Sequence, residues 1–400
     1  MRRAARYRLL AVLYSSQFLA LGFFYYTLAA VLRSNGVPLA QIGLLQLFAV
    51  FQVIRFAWAP LVDRYGSSRL GHYRSWLLVL HLLMVAAVLV LGPLDVIADL
   101  PLVLTVVGAI ALLSATQDIA TDATAVRILT PSERGVGNGI QLAGSYGGFL
   151  IGGNAVVVVY DRIGWGAALT VLAVLTAVPL PFLLRYREPA RTPVHRPSIA
   201  PAAVGGFFRQ PGAARWALVV MPLYYLGVAS AYPLITPMLI DAGWKLDRIG
   251  TILVIGGGTV VIAGALAAGA VLSAVGRRRA LVAFGVVQVA AGIGLLPLTQ
   301  PQPSTAIVLA EVALLHLAYA VTGTAIYTVS MDWTRPDSAG TDYTVQACFA
   351  QLCSHGAGAA SLAVAGSFGY SAIAALSAGL GVLGTAAVWL FQRRPMAAAA

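Results

Sequence analysis

Charge is scarce in this chain of 400 residues: Asp, Glu, Lys and Arg together make up 10% of it, whereas soluble domains carry about 25%. With 59% hydrophobic residues beside that shortage, a soluble globular fold is excluded and an integral membrane protein is expected. Cysteine is nearly absent as well. Cys348 and Cys353 sit five apart in one apolar run, which provides neither a disulfide framework nor metal-ligand spacing. The 5 histidines are scattered without a His-x-x-x-His pair or a carboxylate cluster, so no metal or other cofactor is expected. There is also no nucleophile with a neighbouring base and no phosphate-binding loop, which argues against an enzyme. The formal net charge of +12 does not point to nucleic acid, because the arginines fall between apolar runs instead of forming one basic face.

What the chain has in plenty is long apolar segments. A span requirement of about 20 residues gives twelve candidates, at 8–32, 38–61, 75–94, 100–125, 136–160, 166–185, 214–239, 247–272, 280–298, 304–330, 341–365 and 370–391. The basic start followed by a long apolar run reads as a retained first transmembrane helix, not a cleaved signal. With the N-terminus inside, the cytoplasmic segments collect most of the 26 basic residues, among them Arg64, Arg127, Arg134, Arg191, Arg196, Arg277, Arg335, Arg393 and Arg394. The opposite side holds only Arg33, Arg162, Lys245 and Arg248. Both termini are therefore expected on the cytoplasmic side.

The chain also repeats itself. NGVPLAQIG at 35–43 aligns with AGWKLDRIG at 242–250 at an offset of 207, which also pairs Tyr25 with Tyr232. Pro131, Gly135 and Gln141 pair with Pro336, Gly340 and Gln346 at an offset of 205. The spacing predicts a six-plus-six duplication: an N-terminal bundle at 1–185, a linker at 186–213 and a C-terminal bundle at 214–400.

Two such halves, with APLVDRYGSSR at 59–69 after span two, resemble the major facilitator superfamily, whose signature there is G-x-x-x-D-R-x-G-R. Ala59 replaces the first glycine and Ser67 a basic position. The loop would offer Asp63 to a helix N-terminus and Arg64 to opposing carboxylates, forming a gating latch. Within the superfamily, IRFAWAPLVDRY at 54–65, ATQDIATDA at 115–123 and ERGVGNGIQLAG at 133–144 resemble the subgroup of AmpG muropeptide permeases, acetyl-CoA transporters and permeases for ferric siderophores of the rhizobactin and pyochelin type. The compact length and the start SSQFLALGFFYYTLAAVLRSNG are most similar to the siderophore permeases. This resemblance implies an all-α major facilitator fold in a bacterial inner membrane, acting as a monomer that imports a ferric siderophore by proton-coupled alternating access. Import of anhydro-muropeptides is the alternative. A drug exporter is less favoured, because GSYGGFLIGG at 144–153 carries Phe149 where the antiporter motif has proline.

Candidate site residues follow from buried charge and large amphipathic groups. Asp118 and Asp122 share a face of span four at i and i+4 and must face the protein interior. Arg55 lies at a similar depth, ~12–14 Å in from the helix end, so an Arg55–Asp118 pair is expected. That pair either pins spans two and four or takes part in substrate and proton handling; Asp118, Asp122 and Glu311 are the proton-coupling candidates. His316 is set about 140° around span ten from Glu311 and is read as a hydrogen-bonded helix residue. Gln17, Tyr25, Tyr26, Tyr232 and Tyr319, with Arg55, are the candidate substrate-binding residues. An interfacial aromatic belt is the competing reading for Tyr25 and Tyr26. Gly144, Gly148 and Gly152 stand at the spacing that lets helix backbones approach closely.

Overall fold

The computed structural model describes residues 2–189, 201–300 and 302–391. The stretch 190–200 of the expected linker, with Arg191 and Arg196, and the terminal Arg393 and Arg394 lie outside the described residues. The described chain is helical, with an isolated bridge between Ser67 and Gly71 and no strand. Its principal helices are α1 (Arg3–Ser34), an interrupted α2 (39–64), α3 (His72–Leu91), α4 (Leu100–Ile128), α5 (Arg134–Ile163) and α6 (Trp165–Arg185). After a short connecting helix, Pro201–Phe208, come α7 (Ala213–Asp241), α8 (Leu246–Val275), α9 (Arg277–Thr299), α10 (Thr305–Asp332), α11 (Ala339–Phe368) and α12 (Tyr370–Phe391).

Ten of the described helices, not the twelve expected, are long and apolar enough to cross a membrane. The two that fall short do so for visible reasons. In α2 the helix tightens to 3₁₀ geometry at Gly43–Ala49 and again at Arg55–Ala57, and Pro60 starts a fresh helix at Ala59. Proline has no N–H to continue an α-helical ladder, but it is tolerated in a first turn. In α11 the length is ample at 30 residues, but Asp342, Gln346, Gln351, Ser354 and His355 dilute its hydropathy.

The duplication read from sequence recurs in the backbone. At the end of the first span, Gly36 N–H donates to Arg33 O (3.1 Å) and Val37 N–H to Leu32 O (3.0 Å); 207 residues later Gly243 donates to Ile240 O (2.9 Å) and Trp244 to Leu239 O (3.0 Å). Both are Schellman caps closed by a left-handed glycine, with φ of 81° at Gly36 and 82° at Gly243. Gly71 and Gly276 (φ 95° and 84°), and likewise Gly164 and Gly369 (φ 92° and 80°), pair positive φ values 205 residues apart, each directly before a helix.

The chain resolves into two compact units. The first gathers Met1–Thr130, Ala143–Gly206 and Thr334–Cys348; the second gathers Pro131–Leu142, Phe207–Trp333 and Phe349–Ala400. The first unit buries Phe23, Met84, Val107, Ile110 and Leu172, contributed by α1, α3, α4 and α6. In it α1 crosses the glycine stripe of α5 so closely that a Cβ on Gly148 or Gly152 would overlap the carbonyls of Ser15 and Leu19. The spacing that predicted close approach thus has its partner in α1. The second unit uses the same device: Gly227 of α7 meets Gly381 of α12, and Gly135 meets Gly269 of α8.

Candidate functional site

In the first unit, α1, α2 and α4 bring their polar side chains together. The 3₁₀ turn at Arg55–Ala57 carries Arg55 into the interior, where it is 2% exposed. Its Nη2 lies 2.7 Å from Asp118 Oδ2, so the pair expected from depth alone is formed. Arg55 Nη1 donates to Gln52 O (2.9 Å) and to the Gln52 side-chain oxygen. Gln17 of α1 donates to the other oxygen of Asp118. One turn along α4, Asp122 Oδ1 accepts from the Tyr14 hydroxyl at 2.8 Å. Gln17, Asp122 and Tyr14 are all buried.

Two carboxylates and one guanidinium therefore share a buried site. Ionised groups in such a place need both a counter-charge and hydrogen bonds, and Asp118 has both. The acceptor oxygens of Gln17 and Gln117 and the hydroxyl of Thr121 are buried with no hydrogen-bond partner among the described residues. Unmet polar atoms grouped in this way mark a place where a polar ligand or water can be held.

A neighbouring group was not anticipated. His81 of α3 is buried, donates from Nδ1 to Leu77 O at 2.7 Å, and holds its Nε2 3.1 Å from Gln117 Nε2 and 3.4 Å from Ser16 Oγ. Because Leu77 O can only accept, Nε2 of the neutral ring is the acceptor for Gln117. Its signals were a lone histidine in the run LLVLHLLMV, and Ser16 and Gln117 placed one residue from Gln17 and Asp118.

The helix that Asp63 caps is α11. Asp63 is fully buried; Oδ1 accepts from Gly340 N–H (2.9 Å) and from Tyr73 OH (2.6 Å), and Oδ2 from Thr341 N–H (2.7 Å) and its hydroxyl (2.6 Å). An anion here meets both the orphan N–H groups and the positive end of the helix. Asp63→Ala should cost about 2 kcal/mol or more of stability, seen as a lower melting temperature in detergent, and Asp63→Asn, which keeps one acceptor, should lose less. Arg64 lies along the Tyr65 ring, 5.9 Å from its centroid, and makes no ion pair among the described residues.

Another ionic group lies in the second unit. Asp332, at the end of α10, pairs with Arg134 (3.0 Å) and Arg277 (2.9 Å). An acidic residue in a last helical turn opposes the helix dipole, which is the signal that it needs such partners.

The remaining candidates separate. Glu311 and His316 face different neighbours, as their angular offset implied. The Glu311 carboxyl packs on Gly294 of α9, where a Cβ would come 2.8 Å from its Cδ, and its Oε1 is buried with no hydrogen-bond partner among the described residues. His316 packs on Tyr232, with ring centroids 5.1 Å apart, and Tyr232 lies 4.8 Å from Tyr319. Tyr25 is half-buried; Tyr26 is exposed and stands edge-on to Phe149 at 5.3 Å.

Against known proteins, residues 10–354 match a family model described as Major Facilitator Superfamily. An anhydromuropeptide permease of Escherichia coli (strain K12) is 32% identical over 274 residues, which is 67% of this chain and 55% of that protein. The chain thus spans about half the length of this curated relative. Among solved structures, the human organic anion transporter MFSD10 superposes with a TM-score of 0.76 at 15% identity, covering 97% of this chain and 100% of the other. The Escherichia coli fucose:proton symporter does so with a TM-score of 0.73 at 13% identity, covering 97% of each. At these identities the two structures attest the fold alone.

Proposed function

The chain belongs to the major facilitator superfamily of secondary transporters, and from that premise we propose that it imports an anhydro-muropeptide across a bacterial inner membrane by proton-coupled alternating access. The duplicated halves, 1–185 and 214–400, are the alternating parts, and both termini are cytoplasmic. The relatives favour this substrate over the ferric siderophore expected from the sequence.

The observation that carries the reading is the buried group of Arg55, Asp118, Asp122 and Gln17, with the side-chain oxygens of Gln17 and Gln117 unmet among the described residues. A muropeptide joins an amino sugar to a short peptide and so presents carboxylates, amide N–H groups and hydroxyls. Arg55 is the cation for a substrate carboxylate, and Gln17 Oε1 the acceptor for an amide N–H. When a substrate carboxylate takes Arg55, Asp118 loses its counter-ion, and a proton on Asp118 or Asp122 restores the balance of charge. Glu311 is a further proton carrier, and Asp63 is the latch.

Uptake of labelled anhydro-muropeptide into proteoliposomes, beside a labelled ferric siderophore, tests this. Accumulation of the muropeptide that collapses with the pH gradient and membrane potential is the expected result. Accumulation unaffected by both would remove the coupling, and uptake of the siderophore alone would remove the substrate.

A further inference from the structure

The duplication brackets α4 and α10 at a single offset. Gly71 and Gly276 precede α3 and α9, Pro131 and Pro336 follow α4 and α10, and each pair stands 205 residues apart. At that offset Ser114 corresponds to Tyr319, Asp118 to Gly323 and Asp122 to Tyr327. The helix face that carries two carboxylates in α4 therefore carries tyrosines and a glycine in α10. His316, seven residues before Gly323, lies on the same stripe.

Tyr232 of α7 completes this face. Its ring is 5.1 Å from His316 and 4.8 Å from Tyr319, where the two tyrosine planes are inclined by 34°. Tyr232 and Tyr319 are half-buried. His316 is 3% exposed and its Nδ1 lies 2.7 Å from Val312 O, which can only accept. The neutral ring then presents Nε2 as an acceptor, and no described residue donates to it. Room for the Nε2 edge of the ring is kept by Gly257 in α8, where a Cβ would crowd His316 Nε2 first and then Cδ2 (2.5 Å) and Cε1 (2.6 Å). Gly257 closes a π-helical segment, Thr251–Gly257, a geometry frequent at functional sites.

We infer that Tyr232, His316 and Tyr319 form a recognition surface for an uncharged sugar ring. The tyrosine faces take the apolar C–H face of the pyranose, and His316 Nε2 accepts a hydrogen bond from one of its hydroxyl or N–H groups. This rests on the muropeptide reading; the α10 stripe carries no carboxylate at the positions equivalent to Asp118 and Asp122.

The test is uptake of labelled anhydro-muropeptide into proteoliposomes by the wild type, His316→Gln, Tyr319→Leu and Tyr319→Phe, with unlabelled disaccharide or sugar-free peptide as competitor. His316→Gln and Tyr319→Leu should each raise KM about tenfold with little change in kcat, while Tyr319→Phe, which keeps the ring, behaves as wild type. The disaccharide should compete with wild-type uptake and lose that ability in His316→Gln, and competition by the peptide should stay the same in all. An unchanged KM in both His316→Gln and Tyr319→Leu overturns the assignment. So does a disaccharide that fails to compete with the wild type, a result that needs no variant to fold. Wild-type vesicles that take up no muropeptide overturn the import reading itself and this assignment with it.

Discussion

Arg55→Ala should abolish uptake and destabilise the protein by about 3–5 kcal/mol, because it leaves Asp118 buried without a counter-charge. In the folded chain Asp118 has Arg55 at 2.7 Å and the Gln17 amide, and only the first of these is a cation. The loss would show as a lower melting temperature in detergent and as absent uptake in vesicles. Arg55→Met combined with Asp118→Leu separates the two roles of the pair. Removing both charges and filling their volume should return most of the stability. Uptake should stay absent if the charges handle substrate and proton. A double variant that transports normally would make the pair a structural pin and nothing more.

Gly148→Ala should, with Gly152→Ala, be among the most damaging single added methyl groups in the first unit. Its Cβ would lie 2.9 Å from the carbonyl carbon of Ser15 and closer still to the oxygen, so α1 and α5 would have to move apart. Overpacking of a backbone-to-backbone crossing costs about 1–3 kcal/mol, at the upper end where the obstacle is main chain that cannot turn aside. Gly147 is the internal control. A Cβ there meets nothing within 4 Å, so Gly147→Ala should leave the melting temperature unchanged or raise it by the helix preference of alanine, about 0.5–1 kcal/mol. Equal melting temperatures for the two variants would show that the crossing does not depend on glycine.

Some of this architecture was legible in the sequence because it obeys one-dimensional arithmetic. Glycines four apart on α5 imply a close crossing, and two charges at equal depth imply a pair. Two windows at nearly one offset imply a duplication that the paired left-handed glycines repeat. What was not legible depends on contacts remote in sequence. Asp63 could be assigned to a helix N-terminus, but Gly340 is 277 residues away and no local pattern names it. The Asp332 group joins residues from α5, α9 and α10 for the same reason. The interruption of α2 had its signal in Pro60, which an apolar count over 38–61 averages away. His81 was passed over because its partners, Ser16 and Gln117, come from two other helices.

The paired caps at Gly36 and Gly243 bear on how such a chain changes over time. A left-handed corner tolerates little besides glycine, so both copies are bound to the same residue at the same place. The side chains on the helix faces between the corners are under no such constraint. One copy of the inner helix is free to acquire acidic residues and the other aromatic ones, without either disturbing the frame that places them. A frame fixed at its corners and free on its helix faces lets the two copies of the inner helix carry different side chains, acidic at Asp118 and Asp122 in α4 and aromatic at Tyr319 and Tyr327 in α10.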